Sequence, residues 1–107
     1  MYLLRKAERT SSSVEGATRG PASVSLILDE SPPGGGPRLH RHPYDETWIV
    51  EEGRVQVWIG DETAEAAAGD IVTTPPNAPH KFENVGQVNS RMVCIHSSRT
   101  FITEWLE

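Results

Sequence analysis

Cysteine is nearly missing from this chain. Cys94 stands alone in 107 residues, so no internal disulfide can form. Its neighbours Met92, Val93 and Ile95 are apolar, which predicts a buried, inert thiol. A basic excess is missing too: Lys and Arg number 10 against 15 Asp and Glu, for a net charge of −5. That balance disfavours nucleic acid, whose phosphates need clustered cations, and it disfavours anionic membranes. No apolar run approaches the length of a membrane span, and MYLLRKAERTSSS reaches charge at Arg5, too early for a signal peptide. A cytoplasmic protein is the expectation. No long 3.6-residue period occurs, and no linker, repeat or low-complexity tract interrupts the chain.

Short strand-like runs separated by Gly, Pro and Asp turns fill the sequence instead. Val24, Leu26 and Leu28 alternate with Ser23, Ser25 and Ile27, a strand pattern that ends at the Pro/Gly-rich run 31–37. Segments 39–43 and 46–51 read as strands with a corner at Pro43-Tyr44-Asp45. Segment 54–59 alternates Val55, Val57 and Ile59 against Gln56 and Trp58. Segments 63–68, 71–74, 80–84 and 90–96 complete the strand set. Phe101, Ile102, Trp105 and Leu106 then fall at helical spacing, giving a short terminal helix or an extended strap. Eight or nine short strands predict an all-β fold, an antiparallel sandwich or barrel.

Two histidines one residue apart, His40 and His42, point to the same side of an extended chain. They are either a pair of surface polar residues or half of a metal site, and the spacing around them decides. From Gly34 the sequence reads G-x5-H-x-H-x3-E-x6-G, filled by Gly34, His40, His42, Glu46 and Gly53. From Gly69 it reads G-x5-P-x-N-x2-H-x3-N, filled by Gly69, Pro75, Asn77, His80 and Asn84. These resemble the two motifs of the cupin superfamily. The one departure is Asn77 where glycine is usual, a mild one because Asn tolerates a left-handed backbone.

The resemblance covers roughly residues 22–97. It implies a single cupin domain over 1–107: a double-sheet antiparallel β-barrel of jelly-roll type, an N-terminal strand or arm over 1–21, and a C-terminal segment over 98–107. It also implies one divalent transition metal on His40, His42, Glu46 and His80. A set of imidazoles with one carboxylate suits Fe, Mn, Ni, Cu, Co or Zn, and the absence of thiolates disfavours a closed structural zinc site.

Trp48, Trp58, Phe82 and His96 are candidates for the substrate-pocket wall. For His96 a half-buried strand-end residue is the plainer expectation, and core packing the plainer one for the tryptophans. Tyr44, Arg38 and Arg41 flank the ligands and are candidates to meet an anionic substrate, although alternation turns Arg41 outward.

A cation inside an apolar barrel favours a small oxygen-rich substrate, and either dioxygenase-like or isomerase/cyclase-like chemistry follows. Glu46 is the candidate catalytic residue, doubling as ligand and general base. The alternative is a non-catalytic module that binds or senses a small molecule. A metal-free epimerase ranks last, because only His96 would remain for acid/base work. Open sheet edges and an apolar N-terminus lead to the expectation of a homodimer.

Overall fold

The computed structural model describes residues 1–107. Ten short strands form two five-stranded sheets. The first sheet runs in the order β1 (Ser13–Val14), β2 (Ser25–Ser31), β9 (Ser90–His96), β4 (Glu46–Glu52), β7 (Ile71–Thr74). The second runs β10 (Glu104–Trp105), β3 (His40–Arg41), β8 (His80–Asn84), β5 (Arg54–Ile59), β6 (Glu62–Ala67). Every pairing is antiparallel. The all-β, double-sheet expectation therefore holds. No helix is long and apolar enough to cross a membrane.

The strands form where β-branched and aromatic residues alternate, and the turns where Gly and Asp allow it. Val55 and Val57 face inward from β5 onto Trp48, Val50, Ala66, Phe82, Met92 and Cys94, and these eight residues form the core between the sheets. Burying each large apolar side chain contributes about 1.5–3 kcal/mol. Asp70 closes the β6–β7 turn, its Oδ2 accepting the Ala67 N–H at 2.8 Å.

Two features that the sequence left open are decided by the structure. In β2 the inward face carries Ser25, Asp29 and Ser31 with Ile27, while Leu28 is exposed. The polar set of the alternation, not the leucines, faces the barrel interior. The C-terminal segment is a strap and not a helix: Glu104 and Trp105 pair with Arg41 and His40. Backbone hydrogen bonding to a sheet edge wins over side-chain spacing in a segment too short to nucleate a helix.

The motif residues outside the ligand set hold the loops together. Asn84 is buried; its Nδ2 donates to the carbonyls of Ser31 (3.0 Å) and Val88 (2.8 Å), and its Oδ1 accepts the Gly86 N–H (2.8 Å). Asn77 takes φ = +65°, and its N–H donates to His42 O at 2.7 Å, tying the second motif to the first. Gly36 (φ +152°) passes so close to strand β8 that a Cβ there would collide with the Phe82 carbonyl oxygen.

Candidate metal centre

Strand register brings the ligand candidates to one end of the barrel. His40 lies opposite His80 across β3 and β8 in one sheet. Glu46 opens β4 in the other sheet, with His96 and Thr74 as its register partners on either side. His42 follows β3 by one residue. Period-two alternation turns His40 and His42 the same way, as their spacing requires, and all four side chains are buried. One ligand atom from each of His40, His42, Glu46 and His80 lies within 4.8 Å of the others, so the cluster could hold a metal ion.

The far nitrogen of each of these imidazoles is already fixed. Nδ1 of His40 lies 2.7 Å from Arg38 O, Nδ1 of His80 lies 2.8 Å from Ala78 O, and Nδ1 of His42 lies 2.8 Å from Ile102 O. A carbonyl only accepts, so each Nδ1 carries the proton and each Nε2 turns toward the cluster. Glu46 is divided in the same way. Its Oε2 accepts the Trp48 indole N–H at 2.8 Å, while its Oε1 sits 3.2 Å from Nε2 of both His42 and His80. Oε1, His42 Nε2 and His80 Nε2 are buried without a hydrogen-bond partner. A buried polar atom left unpaired costs about 1–3 kcal/mol, so such convergent atoms fit a bound cation. Three imidazole nitrogens and one carboxylate oxygen are a donor set for a divalent transition metal.

The electrostatics agree with that fit. Burial alone would lift the Glu46 carboxyl, but contacts from His42, His80 and His96 outweigh it and hold Glu46 well below the carboxylate range. Burial lowers His40 to about 4, with its Arg38 hydrogen bond opposing and the neighbouring imidazoles adding to the fall. His40 is therefore neutral at pH 7, with a lone pair to give. Glu46 is therefore ionised, with a lone pair to offer a cation.

His96 is the fourth imidazole of the cluster, only 2% exposed, and not the half-buried strand-end residue expected. Its Nδ1 meets the Tyr44 hydroxyl at 2.7 Å, and its Nε2 lies 3.0 Å from Glu46 Oε2, out of hydrogen-bond alignment. Burial raises the Tyr44 phenol, which therefore stays protonated and donates to Nδ1. The Tyr44 ring also stacks on His42 at 5.0 Å between centroids.

A cavity of about 380 Å³ opens onto the cluster, walled by Trp48, Phe82 and Phe101 among others. His96 and Cys94 also line it, and burial pushes the Cys94 thiol well above its ordinary value. Trp58 does not line it: that ring faces outward from β5, with Lys81 Nζ 5.3 Å from its centroid. Arg38 and Arg41 are outside as well. Arg41 pairs with Glu104 at 2.8 Å, and Arg38 lies over the Trp105 ring. Sequence reasoning named an extended strap but gave it no part in the site; it contributes Phe101, Thr103 and Trp105 to the wall and the Ile102 carbonyl that orients His42.

The profile of the Cupin domain family matches residues 28–96, well over half of the chain. The chain belongs to the cupin family. It is 35% identical over 79 residues to the polyketide synthase CurC of Streptomyces cyaneus, which covers 73% of this chain and 49% of that one. The chain spans about half the length of the first curated relatives it matches. Among solved structures, an uncharacterized conserved protein with a double-stranded β-helix domain from Klebsiella pneumoniae superposes with a TM-score of 0.77 at 21% identity, covering 99% of this chain and 90% of that one. An oxalate oxidase superposes at 0.78, with 21% identity, over 97% of this chain and 60% of its own. At these identities the two structures speak for the barrel alone. In this cupin the barrel and the polar cluster at its mouth coincide.

Proposed function

We propose that this cupin is a small metalloenzyme that binds one divalent transition metal through His40, His42, Glu46 and His80. Its substrate would be a small oxygen-rich molecule taken into the adjoining cavity. The observation that carries the reading is the set of buried, unpartnered Nε2 and Oε1 atoms facing one another at the cavity floor. A bound divalent ion would supply Lewis acidity toward an oxygen donor or, if redox-active, a site for dioxygen chemistry.

The chain's own residues do the rest. Trp48 and His96 occupy the neighbourhood of Glu46 Oε2, so the carboxylate offers Oε1 alone and leaves room for a substrate with two oxygen donors. Trp48, Phe82 and Phe101 exclude water from that space. Tyr44 and His96 place a hydrogen-bonded pair of exchangeable protons beside the site, a second candidate route for proton movement besides Glu46. Similarity to a protein named polyketide synthase adds poly-β-ketones to the enolates and catechols that such a site would chelate.

The test is reconstitution of the metal-free protein with Fe(II), Mn(II), Ni(II), Co(II), Cu(II) or Zn(II), then assay against flavonols, catechols and β-diketones. Oxygen uptake identifies the dioxygenase form, and anaerobic isomerisation or ring closure identifies the other. Stoichiometric metal and saturable ligand binding without turnover would leave the non-catalytic module. Failure to bind any of these ions would refute the reading.

Homodimerisation remains part of this proposal. Ile71 on edge strand β7 and Tyr2 and Leu3 of the N-terminal arm are exposed, and a second copy would cover them. Sedimentation as a monomer at micromolar concentration would remove it.

A further inference from the structure

The inverted face of β2 places a carboxyl inside the cavity that no metal role uses. Asp29 lines the cavity together with Ile27 and Ser31, on the same inward face of the strand. The Ser31 hydroxyl donates to Asp29 Oδ2 at 2.9 Å, which fixes one oxygen. Ser31 is itself buried, and its carbonyl accepts the Asn84 amide at 3.0 Å, so the donor is held by the same residue that locks the second motif. Asp29 Oδ1 accepts no hydrogen bond from the chain. Burial raises the Asp29 carboxyl, the Ser31 hydrogen bond opposes the rise, and the Glu30 charge adds to it. A carboxylate stabilised so little by its surroundings is a strong acceptor.

The rest of the wall gives this group its meaning. No lysine or arginine lines the cavity. A divalent ion at the histidine cluster would balance one anionic chelating group, and nothing would balance a second. A ligand carrying another carboxylate would bring it into a poorly screened space beside Asp29, where like charges repel strongly. A neutral donor at the same position would meet an unfilled acceptor.

We infer that Asp29, held by Ser31, is a specificity-determining acceptor that selects metal-chelating ligands with a hydroxyl group remote from the chelating oxygens and rejects those with a carboxylate in that place. This rests on the metal-site reading above. The ligand class is then a neutral or singly anionic polyhydroxylated chelator, an enolised diketone or a catechol bearing a further hydroxyl, rather than a chelator with a remote carboxylate.

Calorimetric titration of the Zn(II)-loaded full chain with three probes tests it: catechol, 3,4-dihydroxybenzyl alcohol and 3,4-dihydroxybenzoate. The alcohol should bind at least tenfold more tightly than the benzoate. In Asp29→Asn the gap should fall below threefold, chiefly through tighter benzoate binding, while the Kd for catechol changes less than twofold. A wild-type protein that binds both substituted catechols equally overturns the inference without any variant. So does a D29N protein that keeps the wild-type gap. If zinc binds and catechol does not, the chelating-substrate reading fails and takes this inference with it. Intact catechol binding without discrimination removes this inference alone.

Discussion

Protonation of His40 should weaken the metal-free protein in acid. His40 carries the value that can be worked through. Burial lowers its folded-state value to about 4, against 6.5 for an ordinary histidine. Between these two values the unfolded chain takes up a proton that the folded chain refuses. Stability therefore falls as pH drops through 6.5, and His40's share of the loss is complete near pH 4. The slope in that window approaches about 1.4 kcal/mol per pH unit. At pH 5 the expected loss relative to pH 7.5 is about 2 kcal/mol, a large share of the ~5–15 kcal/mol that holds a typical domain.

Glu46 acts in the same direction at lower pH. Its folded value is depressed, so the stability it contributes is present above its ordinary 4.5 and is lost below it. Asp29 acts in the opposite direction, because its folded value is raised from 3.8, and comparing wild type with a His40 variant at the same two pH values cancels it. Urea unfolding in the presence of a chelator, followed by the fluorescence of buried Trp48, gives the free energies at pH 7.5 and 5.0. His40→Gln should reduce the loss by about 2 kcal/mol, which is the His40 share. Equal stability of the wild type at both pH values, or the same loss in wild type and H40Q, would refute the reasoning.

Two further substitutions test other parts of the site. Trp48→Phe keeps most of the packing but removes the N–H that holds Glu46 Oε2. Metal affinity should fall about 10–100-fold, read by competition with a chromophoric chelator, and an unchanged affinity would show that Glu46 needs no such support. Asn77→Gly should leave stability within about 1 kcal/mol, because glycine accepts the +65° backbone freely, whereas Asn77→Val should cost about 2 kcal/mol or more. Thermal unfolding of the pair decides it, and equal melting temperatures would mean that the left-handed conformation is not under strain.

Much of the strand pattern was legible because the strands obey local rules. Segments 54–59, 71–74, 80–84 and 90–96 all coincide with observed strands, each bounded by a turn residue that the sequence displays. The clustering of His40, His42, Glu46 and His80 was legible through motif spacing, since nothing in ordinary packing demands two histidines, a glutamate and a distant histidine in those registers. Three features were not legible. Alternation in β2 reveals two faces but not which one turns inward, and the habit of burying leucine misleads where the interior is a ligand cavity. The spacing of Phe101, Ile102, Trp105 and Leu106 suits a helix, and only the non-local pairing with β3 decides against it. His96 shares a face with Met92 and Cys94, so alternation already placed it inward; what the sequence could not supply was Tyr44 and Glu46 on either side of its ring.

The strap links the end of the chain to the chemistry of the cavity. Ile102 O orients His42, and the Ile102 N–H reaches the Tyr44 hydroxyl that holds His96. Phe101 meets the His96 ring edge-on at 4.9 Å, and Trp105 covers His40 at 5.0 Å. Three of the four imidazoles thus meet residues 101–105, which are held to the barrel by the short pairing to β3, by the Arg41–Glu104 ion pair and by the Phe101 N–H donating to Glu15 Oε2 at 2.9 Å. The exposed ion pair contributes at most about 1 kcal/mol, so the backbone pairing and the contacts with the imidazoles carry most of that hold. The orienting contacts work in both directions. Whatever a cation on His40 and His42 adds to strap docking, the docked strap adds to the binding of that cation, by the same free energy.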